Sequence, residues 1–196
     1  MKKVGVLISG RGSNLGALIA AQSDAYKIVL VISNIEGADG LKRAVEAGIA
    51  TTTISHHGKT REAFDGELDA ALRVADVDFV CLAGFMRILS DGFVRGWEGK
   101  LVNIHPSLLP AYKGTKVHER VLAAGESQSG ASVHFVVPEL DAGPVIAQGR
   151  VDVHPSDTPD MLAARILAVE HQLYPAALRL LSEDKVKLEK GLAVFA

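Results

Sequence analysis

A single cysteine in 196 residues, Cys81, excludes a disulfide framework within the chain. It sits in the apolar run Asp78-Phe-Val-Cys-Leu-Ala, which reads as a buried reduced thiol rather than a nucleophile or metal ligand, and a cytoplasmic setting is expected. Aromatic residues make up only 5%, so Val, Leu, Ile and Ala must build the core, as they do around a buried parallel sheet. No apolar stretch approaches the ~18 residues that would cross a bilayer, and the opening Met1-Lys-Lys-Val-Gly-Val-Leu-Ile-Ser lacks the features of an export signal. Neither membrane association nor secretion is expected. Positive charge is in no excess: 21 Lys and Arg stand against 23 Asp and Glu, a net charge of −2. That balance offers no basic face for nucleic acid, and any bound phosphate must be held by local donors. The seven histidines are scattered, with no His-x₃-His or Cys-x₂-Cys spacing, so no metal is expected.

What is present is 48% apolar residues against 22% charged, enough to bury a core and exclude wholesale disorder. The length predicts a single domain over 1–196, with an N-terminal half to about residue 100 and a C-terminal half beyond it. Val4 to Ile8 is a short apolar run closed by a glycine-rich turn, and helical spacing follows from Asn14 to Gln22. Strands are predicted at Ile28–Ile32, Thr51–Ile54, Phe79–Ala83 and Leu101–His105, with helices at Leu41–Ala47 and Arg61–Val74. Beyond Pro106 the pattern changes to a proline-punctuated loop, a short helix at Val117–Ala124 and a strand at Ala131–Val137. In that strand His134 reads as facing outward. Pro144–Val153 is placed antiparallel to it through the loop Leu140-Asp-Ala-Gly, a long helix spans about Pro159–Leu181, and Lys185–Phe195 reads as a small edge hairpin. The fold class is therefore α/β: a Rossmann-like, mostly parallel twisted sheet flanked by helices and continued by antiparallel strands.

Gly10-Arg-Gly-Ser-Asn puts backbone N–H groups at a helix N-terminus, a place suited to phosphate. The spacing Gly10, Gly12, Gly16 is one residue longer than the dinucleotide fingerprint, and Ser33-Asn34 stands where an acid would grip a ribose, which disfavours NAD. Asn103 and His105, two apart on a strand, leave on one face at its carboxyl end. An amide donor beside a group titrating near pH ~6.5 is a pair able to hold a developing oxyanion and move a proton. Asp141, in its Gly- and Pro-bounded loop, reads either as a turn aspartate or as a carboxylate partner for His105. On pattern alone Phe85–Leu89 reads as core or a loop tether, and Glu170 as a solvated helix charge.

The segments Leu7-Ile-Ser-Gly-Arg-Gly-Ser-Asn-Leu, Leu82-Ala-Gly-Phe-Met-Arg-Ile-Leu, Asn103-Ile-His-Pro-Ser-Leu-Leu-Pro, Ser132-Val-His-Phe-Val and Leu140-Asp-Ala-Gly-Pro-Val-Ile closely resemble the phosphoribosylglycinamide formyltransferases, folate-dependent enzymes of purine synthesis. The resemblance spans nearly the whole chain. It implies a formyltransferase fold, with Asn103, His105 and Asp141 as the catalytic set, Gly12, Ser13 and Asn14 holding the substrate phosphate, and Glu170 at the glycinamide end. It implies a folate site lined by Arg61, Met86, Arg87, Ile88, Leu89 and Asn103, with Lys113 and His118 on a nearby loop in roles it does not define. Ala142 stands where some members have glycine. The implied reaction passes a formyl group from 10-formyltetrahydrofolate, a co-substrate, to the amine of glycinamide ribonucleotide, with small molecules as the only partners and either a monomer or a homodimer. Two rivals remain. One is a formyltetrahydrofolate deformylase, whose extra regulatory domain 196 residues would not hold; the other is a Rossmann-type nucleotide-binding module without catalysis.

Overall fold

The computed structural model describes residues 1–196. In chain order the elements are β1 (Lys2–Ile8), α1 (Ser13–Ala20), β2 (Tyr26–Ser33), α2 (Asp39–Glu46), β3 (Ala50–Thr53), α3 (Arg61–Val74), β4 (Phe79–Leu82), α4 (Asp91–Gly96), β5 (Leu101–His105), α5 (Val117–Ala123), β6 (Gln128–Phe135), β7 (Val145–Asp152), α6 (Pro159–Ser182), β8 (Val186–Glu189) and β9 (Leu192–Phe195). Seven strands form one sheet in the order β3-β2-β1-β4-β5-β6-β7. The first five are parallel; β6 and β7 join antiparallel to β5 and to each other. The tail hairpin forms, but β8 and β9 make a sheet of their own instead of extending the main one.

Side-chain alternation on β1 builds the layers. Val4, Val6 and Ile8 enter a core with Leu15, Leu18, Ile166, Tyr174 and Leu178, under α1 and α6. Leu7 points the other way, into a core with Phe64, Leu68, Leu72, Phe93 and Trp97, under α3 and α4. Each such large apolar side chain contributes roughly 1.5–3 kcal/mol when fully buried. Helix starts follow their caps: Thr60, Ser90 and Thr158 accept from Ala63, Phe93 and Met161 N–H at the starts of α3, α4 and α6. No helix is long and apolar enough to cross a membrane.

Strand order reverses beside β1. The chain steps outward through β2 and β3, then returns to the opposite side with β4 and β5. The carboxyl ends of β1 and β4 therefore border the crevice where open α/β sheets receive ligands. Both motif-bearing turns, after β1 and after β4, lie at that switch point.

Two expectations are corrected. The short helix α4 was not anticipated: six residues carry too little periodicity, and tertiary contacts of Phe93 and Trp97 hold it in place. His134 does not face outward. It is 2% exposed, because β6 is an interior strand with every residue but Gln128 buried, so the two-fold alternation of a half-exposed strand does not apply.

Candidate active site

The turn after β1 is shaped by close approach. Gly12 takes φ +67, and a Cβ there would lie 2.7 Å from the Cα of Gly40, backbone that cannot give way. The Gly40 N–H donates to the Gly10 carbonyl at 3.0 Å and fastens the turn to α2. α1 then begins at Ser13 with no side-chain cap and no acid in its first turn, so its positive end is left for an external anion. Asn14 Nδ2 donates to Glu170 Oε2 at 2.7 Å, joining this turn to the middle of α6. Burial pushes the Glu170 carboxyl up from its ordinary value, and the Asn14 bond offsets this only in part. Asn14 Oδ1 is buried without a partner, an acceptor held ready for a donor from a bound molecule.

On the other side of the crevice Asn103 and His105 emerge together at the end of β5, paired across β6 with His134 and Ser132. The Phe135 carbonyl can only accept, so at 2.8 Å it fixes the hydrogen of His134 on Nδ1. His134 Nε2 is then the acceptor for Asn103 Nδ2 at 3.2 Å, which orients the amide. Burial, first among its causes, holds the His134 pKa below its ordinary value and keeps this ring neutral. By the same logic His105 Nε2 donates to the Tyr112 carbonyl at 2.9 Å, leaving Nδ1 facing Asp141 Oδ2 at 3.5 Å. That separation is an ion-pair distance, longer than a hydrogen bond.

Asp141 is carried by the β6–β7 connection in the left-handed region, φ 48, and Gly114 N–H donates to its Oδ2 at 2.8 Å. Two residues on, a Cβ at Gly143 would meet the Phe135 carbonyl oxygen at 1.7 Å, so only glycine lets the loop fold against β6. The Pro106–Tyr112 loop is fastened by Ser132 Oγ, which donates to the Ser107 carbonyl at 2.6 Å and accepts from Leu109 N–H and Gln148 Nε2. Tyr112 is itself left-handed, φ 55. Strained backbone thus gathers on both sides of His105. Asn103, His105, Gly114, His134 and Asp141 border a cavity of about 520 Å³, within the range that takes a small organic ligand.

Comparison with known proteins shows the family. The family model described as "Formyl transferase" matches residues 2–178. The chain belongs to the formyl transferase family. It is 46% identical to the Escherichia coli phosphoribosylglycinamide formyltransferase, over 96% of this chain and 91% of that one. It is 52% identical to the trifunctional purine biosynthetic protein adenosine-3 of Drosophila melanogaster over 92% of this chain, and spans only 14% of that protein's length. Among solved structures, glycinamide ribonucleotide transformylase 1 of Symbiobacterium toebii superposes with a TM-score of 0.96 at 38% identity, covering 100% of this chain and 94% of that one.

In this member of the family, Met86, Arg87, Ile88, Leu89, Asn103, His105, Asp141 and His118 all line the one cavity. Burial, then the neighbouring His105, lowers the His118 pKa. Gly12, Ser13, Asn14 and Glu170 gather at the α1 end of the crevice. Arg61 does not join either group; it lines a separate hollow between α3 and α4 with Asp65, Asp69 and Ser90. Lys113 lies beside the cavity, 3.9 Å from Glu139. Sequence pattern missed the roles of His134 and Gln148. The pairing of β6 with β5 sets His134 opposite Asn103, and that pairing has no local signal.

Proposed function

We propose that this formyl transferase passes the formyl group of 10-formyltetrahydrofolate to the amine of 5-phosphoribosylglycinamide. The observation that carries the reading is the convergence of Asn103, His105 and Asp141 at one cavity, beside a helix N-terminus that Asn14 and Glu170 equip for an anionic, amine-bearing substrate. The cavity suits a folate: Phe85, Met86, Ile88, Val136 and Leu140 offer apolar lining for a flat ring, and Asn103, His105 and Asp141 add polar groups. Bound there, the folate supplies a formyl carbon attached to a nitrogen that can depart once it gains a proton.

His134 takes one hydrogen of the Asn103 amide, which leaves the second to donate to the formyl oxygen as negative charge grows on it. His105, with Nε2–H committed to Tyr112, turns Nδ1 toward the Asp141 carboxylate 3.5 Å away, so a proton can pass between the two. Asp141 takes the proton that the attacking amine must lose and, through its contact with His105, returns one to the departing nitrogen. One C–N bond forms and one breaks, and the amine's proton ends on the folate. Neither an oxidant nor a covalent enzyme intermediate enters this balance.

Purified protein incubated with 10-formyltetrahydrofolate, with and without glycinamide ribonucleotide, tests the reading. Formylated nucleotide and tetrahydrofolate appearing together, and only when both substrates are present, are expected. Formate release at the same rate without the nucleotide would overturn the reading in favour of a hydrolase.

A further inference from the structure

A file of hydrogen bonds outside the reacting cavity ties one of its walls to two strand ends. The Met86 backbone N–H donates to Ser9 Oγ at 2.8 Å, and the Ser9 backbone N–H donates to the Gly84 carbonyl at 3.2 Å. Ser9, just past β1, thus grips both ends of the turn through Phe85. Because a backbone N–H can only donate, it occupies a lone pair of Ser9 Oγ, and the hydroxyl hydrogen goes to Asn34 Oδ1 at 2.6 Å. With Oδ1 committed, Asn34 presents Nδ2–H to His56 Nδ1 at 3.2 Å. Partial burial and then the nearby Arg87 and His57 lower the His56 pKa, in keeping with a neutral ring that accepts at Nδ1.

The file closes on itself through rings. His56 meets Phe64 edge-on, centroids 6.2 Å apart, and Phe64 stacks on Phe85 at 6.4 Å with planes 8° apart. Phe85 belongs to the turn that Ser9 grips. Asn34 and Phe64 are buried, and Ser9, Asn34, His56 and Phe64 do not line the cavity, whereas Phe85 and Met86 do. Part of the wall is poorly packed: Met86 is 75% exposed and Ile88 59%. Apolar contact holds Phe85 and Leu89 but does little to place Met86, whose N–H is held by Ser9.

We infer that Ser9, Asn34 and His56 are positioning residues that set the Gly84–Met86 turn, and with it the apolar wall offered to the folate. The inference rests on the proposed reading of that cavity as the folate site. None of the three touches the reacting atoms. Losing the far end of the file frees the Asn34 amide, then the Ser9 hydroxyl, and the turn loses its register while the catalytic groups on β5 and β6 stay in place.

His56 is the decisive position, being half-buried and the member of the file that reaches Ser9 only through Asn34. His56→Leu removes the acceptor; His56→Asn keeps a carbonyl oxygen near the place of Nδ1. Steady-state kinetics of the full chain should show a folate KM raised roughly five- to tenfold in His56→Leu, the loss of one net hydrogen bond, with kcat and the nucleotide KM within about twofold and the melting temperature little changed. His56→Asn should recover most of the folate KM. An unchanged folate KM in His56→Leu, an equal rise in both KM values, or a His56→Asn variant as impaired as His56→Leu would overturn the inference. Calorimetric titration with tetrahydrofolate repeats the comparison without turnover. Wild-type protein that binds folate but transfers no formyl group refutes the proposed reaction alone; wild-type protein that binds no folate overturns both.

Discussion

At the scale of single residues, the orientation of the Asn103 amide is decided by a chain of forced choices. The Phe135 carbonyl dictates the tautomer of His134, and the tautomer dictates which end of Asn103 faces the ring. An amide turned the wrong way would present its oxygen to the developing oxyanion and repel it. Asn103→Ala is expected to lower kcat by about 10²–10³, the usual cost of one such donor. His134→Phe should lower it less, since the donor remains but is free to rotate. Because His134 acts through Asn103, the double variant should be no slower than Asn103→Ala alone. Turnover at saturating substrates checks this, and fully additive losses would show that His134 has a separate role. The asparagine and its neighbour His105 were legible in the sequence as a pair on one strand face. The histidine that orients Asn103 was not, because its contact depends on which strand lies alongside.

At the scale of elements, α6 shows a charge placed where an apolar residue would ordinarily go. Leu162, Ile166, Tyr174 and Leu178 form a buried stripe at intervals of four residues, and Glu170 falls on it, 7% exposed. That stripe was the signal in the sequence that argued against a solvated charge. The same helix is bolted to the sheet by Tyr174, whose hydroxyl donates to the Leu82 and Val102 carbonyls at 3.0 and 3.2 Å. Since the folded-state pKa of Glu170 lies above the ordinary 4.5, folding is not penalised at this site below that value. Stability is lost as pH rises through the raised pKa, when the buried group must ionise. Glu170→Gln, which keeps an acceptor for Asn14, should therefore melt with the wild type near pH 4 and at a higher temperature than the wild type at pH 7. Melting curves across that range test the sign. α3 and β5 occur where periodicity placed them, Arg61–Val74 and Leu101–His105, because each carries a full local pattern. α4 carries only its cap and two apolar contacts.

At the scale of the molecule, the two cores lie on opposite faces of one sheet and share its strands. We therefore expect a single cooperative unfolding transition. Trp97, the only tryptophan, sits in the core under α3 and α4, so its fluorescence reports one face while far-ultraviolet circular dichroism reports the helices of both. Coincident denaturant midpoints are expected. Separate midpoints would divide the chain into two folding units.

The sequence by itself determined the elements other than α4, the parallel start and antiparallel finish of the sheet, the glycine turn suited to an anion, and the shared face of Asn103 and His105. Each of these is written in residues a few positions apart, through strand and helix periods and the φ requirements of turns. Tertiary structure alone decided the partners: Asp141 beside His105, His134 against Asn103, Arg61 away from the cavity, and Asn14 bonded to Glu170 across 156 positions of chain. Those contacts follow from the order in which strands pair and the face on which each helix packs. Both choices minimise the energy of the whole core, and no short stretch of residues records them.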